Sequence, residues 1–322
     1  MNLYIIDTGC KISLSNQKLI VVSEEGRREF PLGMVESLTI GKTVQITSQA
    51  ICALSESGIS VAWISRNGII CQTFGEENLF YQQQQFRSLD KPGFLLELTR
   101  KNTAAKIENQ FAFIGKSREF RRNDIEKCAS VNSLLGVEGV YAARYFSELK
   151  ALFPEKYHFH GRKKHPAPDS VNSVLSFSYT LLYRKITDMI AVHGLNPSVG
   201  FCHCLKAGHY ALSSDIMESL RSIICDETAV RAFLEGFSEE DFQTGENGVY
   251  LSGKAKQCVI GIFHEKLREK AETRNGFSGD YTGVIEQIIC SYIRAVENFD
   301  AALYTPYRKE KQHVQEKFSC DL

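Results

Sequence analysis

No two cysteines in this chain stand at C-x-x-C spacing, which removes the usual zinc-ribbon and thioredoxin-like patterns. No run approaches the ~20 apolar residues that a membrane-crossing helix needs. The opening segment, MNLYIIDTGCK, lacks a basic n-region and a long apolar stretch, so it does not read as a signal peptide. Charge of either sign is not in excess: Lys+Arg and Asp+Glu both total 38. That excludes a protein that is basic everywhere and requires any polyanion-binding surface to be built locally. There is no internal repeat, and the one low-complexity tract, QQQQ at 82–85, is too short to matter.

What is present suits a globular chain. Its 322 residues allow one large domain or two smaller ones, and a hydrophobic fraction of 43% is ample for a core. Ten cysteines are scattered along it, at 10, 52, 71, 128, 202, 204, 225, 258, 290 and 320. The scatter suits buried free thiols in a reducing cytoplasm, which is the expected location.

Two regimes of patterning follow one another. LYIID, KLIVVSE, ESLTIG, SVAWIS and GIICQTF are short β-branched or aromatic runs separated by turn signals such as Asp7-Thr8-Gly9 and Arg66-Asn67-Gly68. One short helix is expected at TSQAICALSES, with Ile51 and Leu54 inward. After about residue 93 the periodicity becomes helical, in segments beginning TAAKIENQ, VNSLLGVEG, SVNSVLSF, SDIMESLR, GKAKQCVI and YTGVIEQI. The expectation is an α+β chain. A small β-sandwich-like domain over residues 1–85 precedes a larger all-α domain over 86–322. Two segments interrupt the helices: a basic loop at 153–170 and an acidic, glycine-containing loop or hairpin at 238–253.

Three places carry chemistry. Glu138 shares a helical face with Leu134, Tyr141, Ala142, Tyr145 and Leu149. An acid on such a face must be neutralised, hydrogen-bonded or bound to a cation. The flanking Gly136 and Gly139 suggest close approach by a backbone or ligand; the plainer reading is a pair with Arg144. Asp215 and Glu218 stand three apart, so both carboxylates leave one face of a helix, with Ser213 or Ser214 as its N-cap. The plainer reading there is acids favoured in a first turn by the helix dipole. His203 lies in GFCHCLKAGH beside Cys202, Cys204 and His209. In an extended segment both cysteines point away from the side of His203, which argues against a compact zinc cluster. One imidazole with two or three carboxylates suits Mg²⁺ or Mn²⁺ better, the ions of phosphoryl transfer.

These motifs resemble those of the CRISPR-associated adaptation integrase family, metal-dependent DNA endonucleases that insert new spacers into CRISPR arrays. GVEGVYAARYF at 136–146, PDSVNSVLSFSYTLLY at 168–183 and GLNPSVGFCHCLKAGHYALSSDIMESLR at 194–221 are similar to the family's three segments, in the same order. Ser170 and Ser222 replace usual prolines, and His209-Tyr210 stands where Arg-Pro is common. The resemblance implies metal ligands at Glu138, His203 and Asp215, with Glu218 as a nearby acid that orients water or assists proton transfer. It implies attack of a DNA 3′-hydroxyl on a repeat phosphodiester. It also implies a homodimer through the β domain and a small ferredoxin-like CRISPR adaptation protein bridging two such dimers. Candidate DNA contacts are Arg121, Arg122, Arg162, Lys163, Lys164, Arg221 and the tail YRKEK at 307–311, with Tyr157 as a base-stacking candidate. The competing readings are a catalytically silent DNA-binding scaffold and a zinc module built on Cys202, His203, Cys204 and His209.

Overall fold

Alternating side chains in the first seventy residues form two four-stranded sheets. The protein is described by a computed structural model covering residues 1–65, 68–73, 78–163, 166–245, 248–274 and 276–309. One sheet has the order β1 (Asn2–Ile5), β5 (Ser37–Gly41), β7 (Ser60–Ser65), β8 (Gly68–Gln72). The other has β4 (Gly26–Pro31), β3 (Lys18–Ser23), β2 (Lys11–Ser15), β6 (Gln45–Ile46). β2 and β3 pair Ser15 with Lys18 across Asn16 and Gln17, whose φ angles of 49° and 59° give the left-handed two-residue turn that matches strand twist. β5 and β7 run parallel, which requires a crossover. α1 (Ser48–Glu56) supplies it, with the Thr47 side chain accepting from the Ala50 amide as its N-cap. Ala50 and Leu54 are its buried residues, while Ile51 is only half-buried.

Leu3, Leu38, Ile40 and Val61 of the first sheet meet Ile12, Leu19 and Val21 of the second in one apolar cluster. β4 escapes a hydrophobicity reading for a physical reason. β4 is an edge strand of exposed charge, with Glu29 bridged to Lys18 at 3.1 Å and Arg27 at 2.9 Å.

A second cluster runs from Phe94 to Tyr307 and holds the helical part together. Its long members are α2 (Leu79–Ser88), α3 (Pro92–Phe113), α5 (Val131–Leu149) and α6 (Ser170–Val192), with the short α4 (Arg122–Glu126) between. They are followed by α7 (Ala211–Met217), α8 (Glu227–Glu235), α9 (Gly253–Arg268) and α10 (Tyr281–Asn298). This part is not all-α. β9 (Phe242–Gly245) pairs with β10 (Gly248–Leu251), and β11 (Lys270–Glu272) with β12 (Ser278–Asp280), both antiparallel. The hairpin of the acidic segment was legible; β11 and β12, three residues each, carry no alternation.

A division at residue 85 falls inside α2, which packs on α10; we propose that the break lies between β8 and α2. The two parts meet through α6. Its buried Arg184 pairs with Asp188 and donates to Ser60 Oγ of β7 at 3.3 Å, while Gln72 of β8 donates to Asp188 Oδ1 at 2.6 Å. Among the described residues no helix is long and apolar enough to cross a membrane. Nor are the cysteines uniformly buried: Cys10, Cys128 and Cys225 are, but Cys52, Cys71 and Cys204 are exposed.

Candidate metal centre

The centre is assembled on an interrupted helix. α7 ends at Met217, residues 218–220 form a turn, and residues 222–226 wind as a single π-helical turn before α8. Such irregular turns leave backbone groups without their usual partners and recur at functional sites. α3 supplies those partners. Asn102, Lys106 and Asn109 follow i, i+4, i+7 spacing and so lie on one face. Asn102 Nδ2 donates to the Asp215 carbonyl at 2.7 Å and Asn109 Nδ2 to the Ser219 carbonyl at 2.6 Å. Ser213 and Ser214 are not N-caps: both are buried inside α7, whose N-cap is Tyr210. Asp215 and Glu218 therefore do not lie in a first helical turn, and a helix dipole does not explain them.

Asp215 is fully enclosed by the segment that carries His203. Its Oδ2 accepts the amides of Phe201 at 2.6 Å and Cys202 at 2.9 Å. Its Oδ1 accepts the amide of His203 at 3.1 Å and lies 2.6 Å from His203 Nδ1. A carboxylate has about four acceptor positions, and here all are used. The segment can wrap this closely because residue 200 is glycine: a Cβ there would sit 2.5 Å from Asp215 Oδ2. Gln85 of α2 pins the preceding loop, accepting the Asn196 amide at 2.8 Å and donating to the carbonyls of Asn196 and Val199 at 3.0 and 3.2 Å. The QQQQ tract thus does matter, through one buried glutamine. The bond to Asp215 raises the His203 pKa, against the opposing pull of burial. In the neutral ring it fixes the proton on Nδ1 and leaves Nε2 as the lone-pair nitrogen. The His203 side chain is 41% exposed, so that nitrogen belongs to the accessible edge of a ring whose other edge is tied down.

The two glutamates converge on a lysine. Lys106 Nζ lies 2.6 Å from Glu138 Oε1 and 2.6 Å from Glu218 Oε2. Glu138 comes from α5 and Glu218 from the turn after α7, so one ammonium joins three elements. Arg144 is not the partner of Glu138; it pairs with Glu119. Gly136 and Gly139 have nothing within 4 Å of a notional Cβ, so no described protein backbone approaches there. Glu218 Oε1 accepts from Arg221 NH1 at 2.6 Å. Burial alone would raise the Glu218 pKa, but Arg221 and Lys106 outweigh it and hold the carboxyl well below its usual range. Its Oε2 is buried and makes no well-formed hydrogen bond, only the ion contact with Lys106.

Behind the carboxylates sits a buried polar layer. Arg221 stacks over the Tyr179 ring at 4.2 Å, and Arg162 over the same ring at 5.1 Å. Tyr145 and Tyr179 each donate to Asp226 at 2.6 Å. Burial pushes the Asp226 pKa up, and the two tyrosine bonds oppose it.

The sequence candidates thus separate. His203 and Asp215 form one unit, and Glu138 and Glu218 another, joined by a residue the sequence reading passed over. Lys106 shows in the sequence only as one cation between two asparagines at helical spacing. Cys202, His203 and Asp215 offer ligand atoms within 4.8 Å of one another, so Cys202 does not point away from His203. Burial and Asp215 push the Cys202 thiol up to about 12, which makes a thiolate ligand costly. Cys204 is exposed. The His209 ring stacks near Tyr183, with centroids 6.3 Å apart, and lies 5.8 Å from the His203 ring.

Among the basic candidates, Arg162 and Arg221 are engaged inside the fold, Arg162 through Asn172 Oδ1 and Ser176 Oγ, both at 3.0 Å. Arg122 pairs with Glu108. Arg121 and Lys163 are exposed. Lys164 and residues 310–311 of the tail lie outside the described residues. Half-buried Tyr157 is engaged with the fold: its hydroxyl donates to the Phe237 carbonyl at 3.0 Å, and its ring packs on Phe233 at 4.5 Å.

A protein-family model described as CRISPR associated protein Cas1 matches residues 3–265. A Leptospira interrogans protein named CRISPR-associated exonuclease Cas4/endonuclease Cas1 fusion is 31% identical over 294 residues, 82% of this chain and 54% of that protein. The chain thus spans about half the length of the fusion. A Mycobacterium tuberculosis CRISPR-associated endonuclease Cas1 is 27% identical over 320 residues, 92% of this chain and 94% of that one. A solved casposase bound to its integration product has a TM-score of 0.85 at 20% identity, covering 99% of this chain and 96% of the other. At that identity the likeness concerns the fold.

Proposed function

The chain belongs to the CRISPR-associated Cas1 family, and from that premise we propose that it is a divalent-metal-dependent DNA endonuclease and integrase. It inserts spacer DNA into a CRISPR array by attack of a fragment's 3′-hydroxyl on a repeat phosphodiester. One observation carries the reading: two glutamates from separate elements converge on a single cation, Lys106, at 2.6 Å each, and the charges of Glu218 and Lys106 reach His203, whose Nδ1 is fixed. An all-oxygen pair with one imidazole is a donor set for Mg²⁺ or Mn²⁺. The buried Glu218 Oε2, with an ion contact but no well-formed hydrogen bond, fits a cation ligand.

The geometry divides the roles differently from the motif. Glu138, His203 Nε2 and Glu218 are the ligands. Asp215 is a positioning residue, because a metal bond would require giving up a backbone amide or the imidazole. When bound, the divalent ion supplies Lewis-acid polarisation of the scissile phosphodiester. Asp215 keeps the imidazole in one tautomer and orientation. Arg221 holds Glu218 ionised and in place. With Oε1 taken by Arg221 and Oε2 given to the ion, Glu218 acts as a ligand and not as the acceptor of the attacking hydroxyl's proton.

Exposed Arg121 and Lys163 are the DNA-phosphate contacts we retain from the candidates, and Lys206, exposed in the loop after His203, joins them. Family membership extends the proposal to a homodimer through the β domain, to a small ferredoxin-like CRISPR adaptation protein bridging two dimers, and to a cytoplasmic location. Strand integration into repeat-bearing DNA, comparing wild type with Glu138→Ala, tests the function. Activity is expected in the first and not the second; equal activity would favour a silent DNA-binding scaffold.

A further inference from the structure

We propose that Lys106 is a built-in counter-cation: it holds Glu138 and Glu218 in their converged arrangement in the metal-free protein and gives way when the divalent ion arrives. This rests on the reading of Glu138, His203 and Glu218 as ligands. Two carboxylates directed at one partly buried point repel each other, and in a medium of low effective dielectric that repulsion is large. A protein carrying such a pair without compensation would splay α5 from the α7 turn. Lys106 is placed to prevent this. Its side chain is 12% exposed, and its ammonium lies 2.6 Å from one oxygen of each glutamate. It is also rooted in the element that secures the broken helix, since Asn102 and Asn109 on the same face of α3 hold the carbonyls of Asp215 and Ser219.

The remaining charges make the arrangement transient. Glu218 keeps Arg221 as a partner at 2.6 Å whether or not Lys106 stays. Among the described residues Glu138 pairs with no cation but Lys106, so a divalent ion is drawn to the position that the ammonium occupies. Lysine suits this duty: it is a compact charge on a flexible four-carbon stem, able to withdraw without moving α3. An arginine, planar and forked, would hold both carboxylates and resist displacement.

The test is Mn²⁺ binding by isothermal calorimetry to the full chain, in wild type, Lys106→Met, Lys106→Arg and His203→Ala. Lys106→Met removes the competing cation. Its Mn²⁺ affinity is expected to rise by about ten- to a hundredfold, the factor equivalent to one charge-assisted hydrogen bond. Its melting temperature in chelator is expected to fall below wild type and to gain more from Mn²⁺ than wild type does. Lys106→Arg is expected to bind Mn²⁺ more weakly than wild type. Unchanged or weaker binding by folded Lys106→Met overturns the proposal, as does failure of Mn²⁺ to restore a Lys106→Met protein that is unfolded in chelator. A measurement on the unmodified chain stands beside these. Amine acylation of Lys106, read by mass spectrometry, is expected to be slow in chelator and faster with Mn²⁺; equal rates overturn the proposal. His203→Ala separates this from the ligand reading: if wild type and His203→Ala bind Mn²⁺ equally, the ligand set is wrong, and the counter-cation role falls with it.

Discussion

Replacing Asp215 by asparagine separates a positioning carboxylate from a metal ligand. The carboxylate accepts four bonds, two on each oxygen. An amide has one acceptor oxygen. If that oxygen takes the Oδ1 position, the NH₂ group faces the amides of Phe201 and Cys202. If it flips, the NH₂ faces the His203 amide and Nδ1–H. Either way two bonds to an anionic acceptor are lost, at about 1.5–3 kcal/mol each, and two donors are set against donors. The expected loss of stability is about 3–6 kcal/mol by chemical denaturation. Part of it is felt locally as disorder of the 200–203 segment, because that is where the donors lie. A histidine released from its orienting partner typically binds metal 10–100-fold more weakly. Strand integration by Asp215→Asn is therefore expected to be reduced by about that factor and to recover in part at high Mn²⁺. The reasoning is refuted if the variant is as stable as wild type yet inactive at every Mn²⁺ concentration, for Asp215 would then be a ligand.

Two further expectations concern the junction between the sheets and the helices. Arg184→Met leaves Asp188 buried and unpaired, so it is expected to lower stability by about 3–5 kcal/mol, whereas Arg184→Met with Asp188→Leu is expected to cost much less; equal losses in denaturation would contradict this. Burial, only partly offset by Arg184, pushes the Asp188 pKa up to about 6. Its folded value thus lies above its unfolded one, so ionising it costs more in the folded state. Between about pH 4 and pH 6 wild type should lose up to about 3 kcal/mol of stability relative to Asp188→Asn, with no further divergence above that window. A difference independent of pH would mean that Arg184 keeps Asp188 ionised throughout.

Much of this arrangement was legible in the chain because the signals were periodic or covalently local. The long helices α5, α6, α9 and α10 follow their apolar stripes, and Leu134, Tyr141, Tyr145 and Leu149 are buried as the spacing requires. Glu138 stood out as an acid on that face. α2 was missed because glutamines give no apolar stripe, although Gln84 and Gln85 are buried. The segment beginning SDIMESLR reads as one unbroken helix, because hydrophobic periodicity does not register the turn at 218–220 or the π-turn that follows. Asp215, inside regular α7, meets His203, while Glu218, at the end of that helix, meets Lys106. Roles within the centre depend on which oxygen meets which donor, and no spacing rule contains that. Asp215 and Glu218 look equivalent as letters three apart. Only the amides gathered around one, and the cations around the other, distinguish them.

The most direct test of the central claim is to locate the ion. Crystals of the protein grown with Mn²⁺ should show an anomalous-scattering peak bounded by Glu138, Glu218 and His203 Nε2, with the Lys106 ammonium withdrawn and Asp215 still bonded to His203 Nδ1. A peak on Asp215 and Cys202, with Lys106 still between the two glutamates, would contradict it.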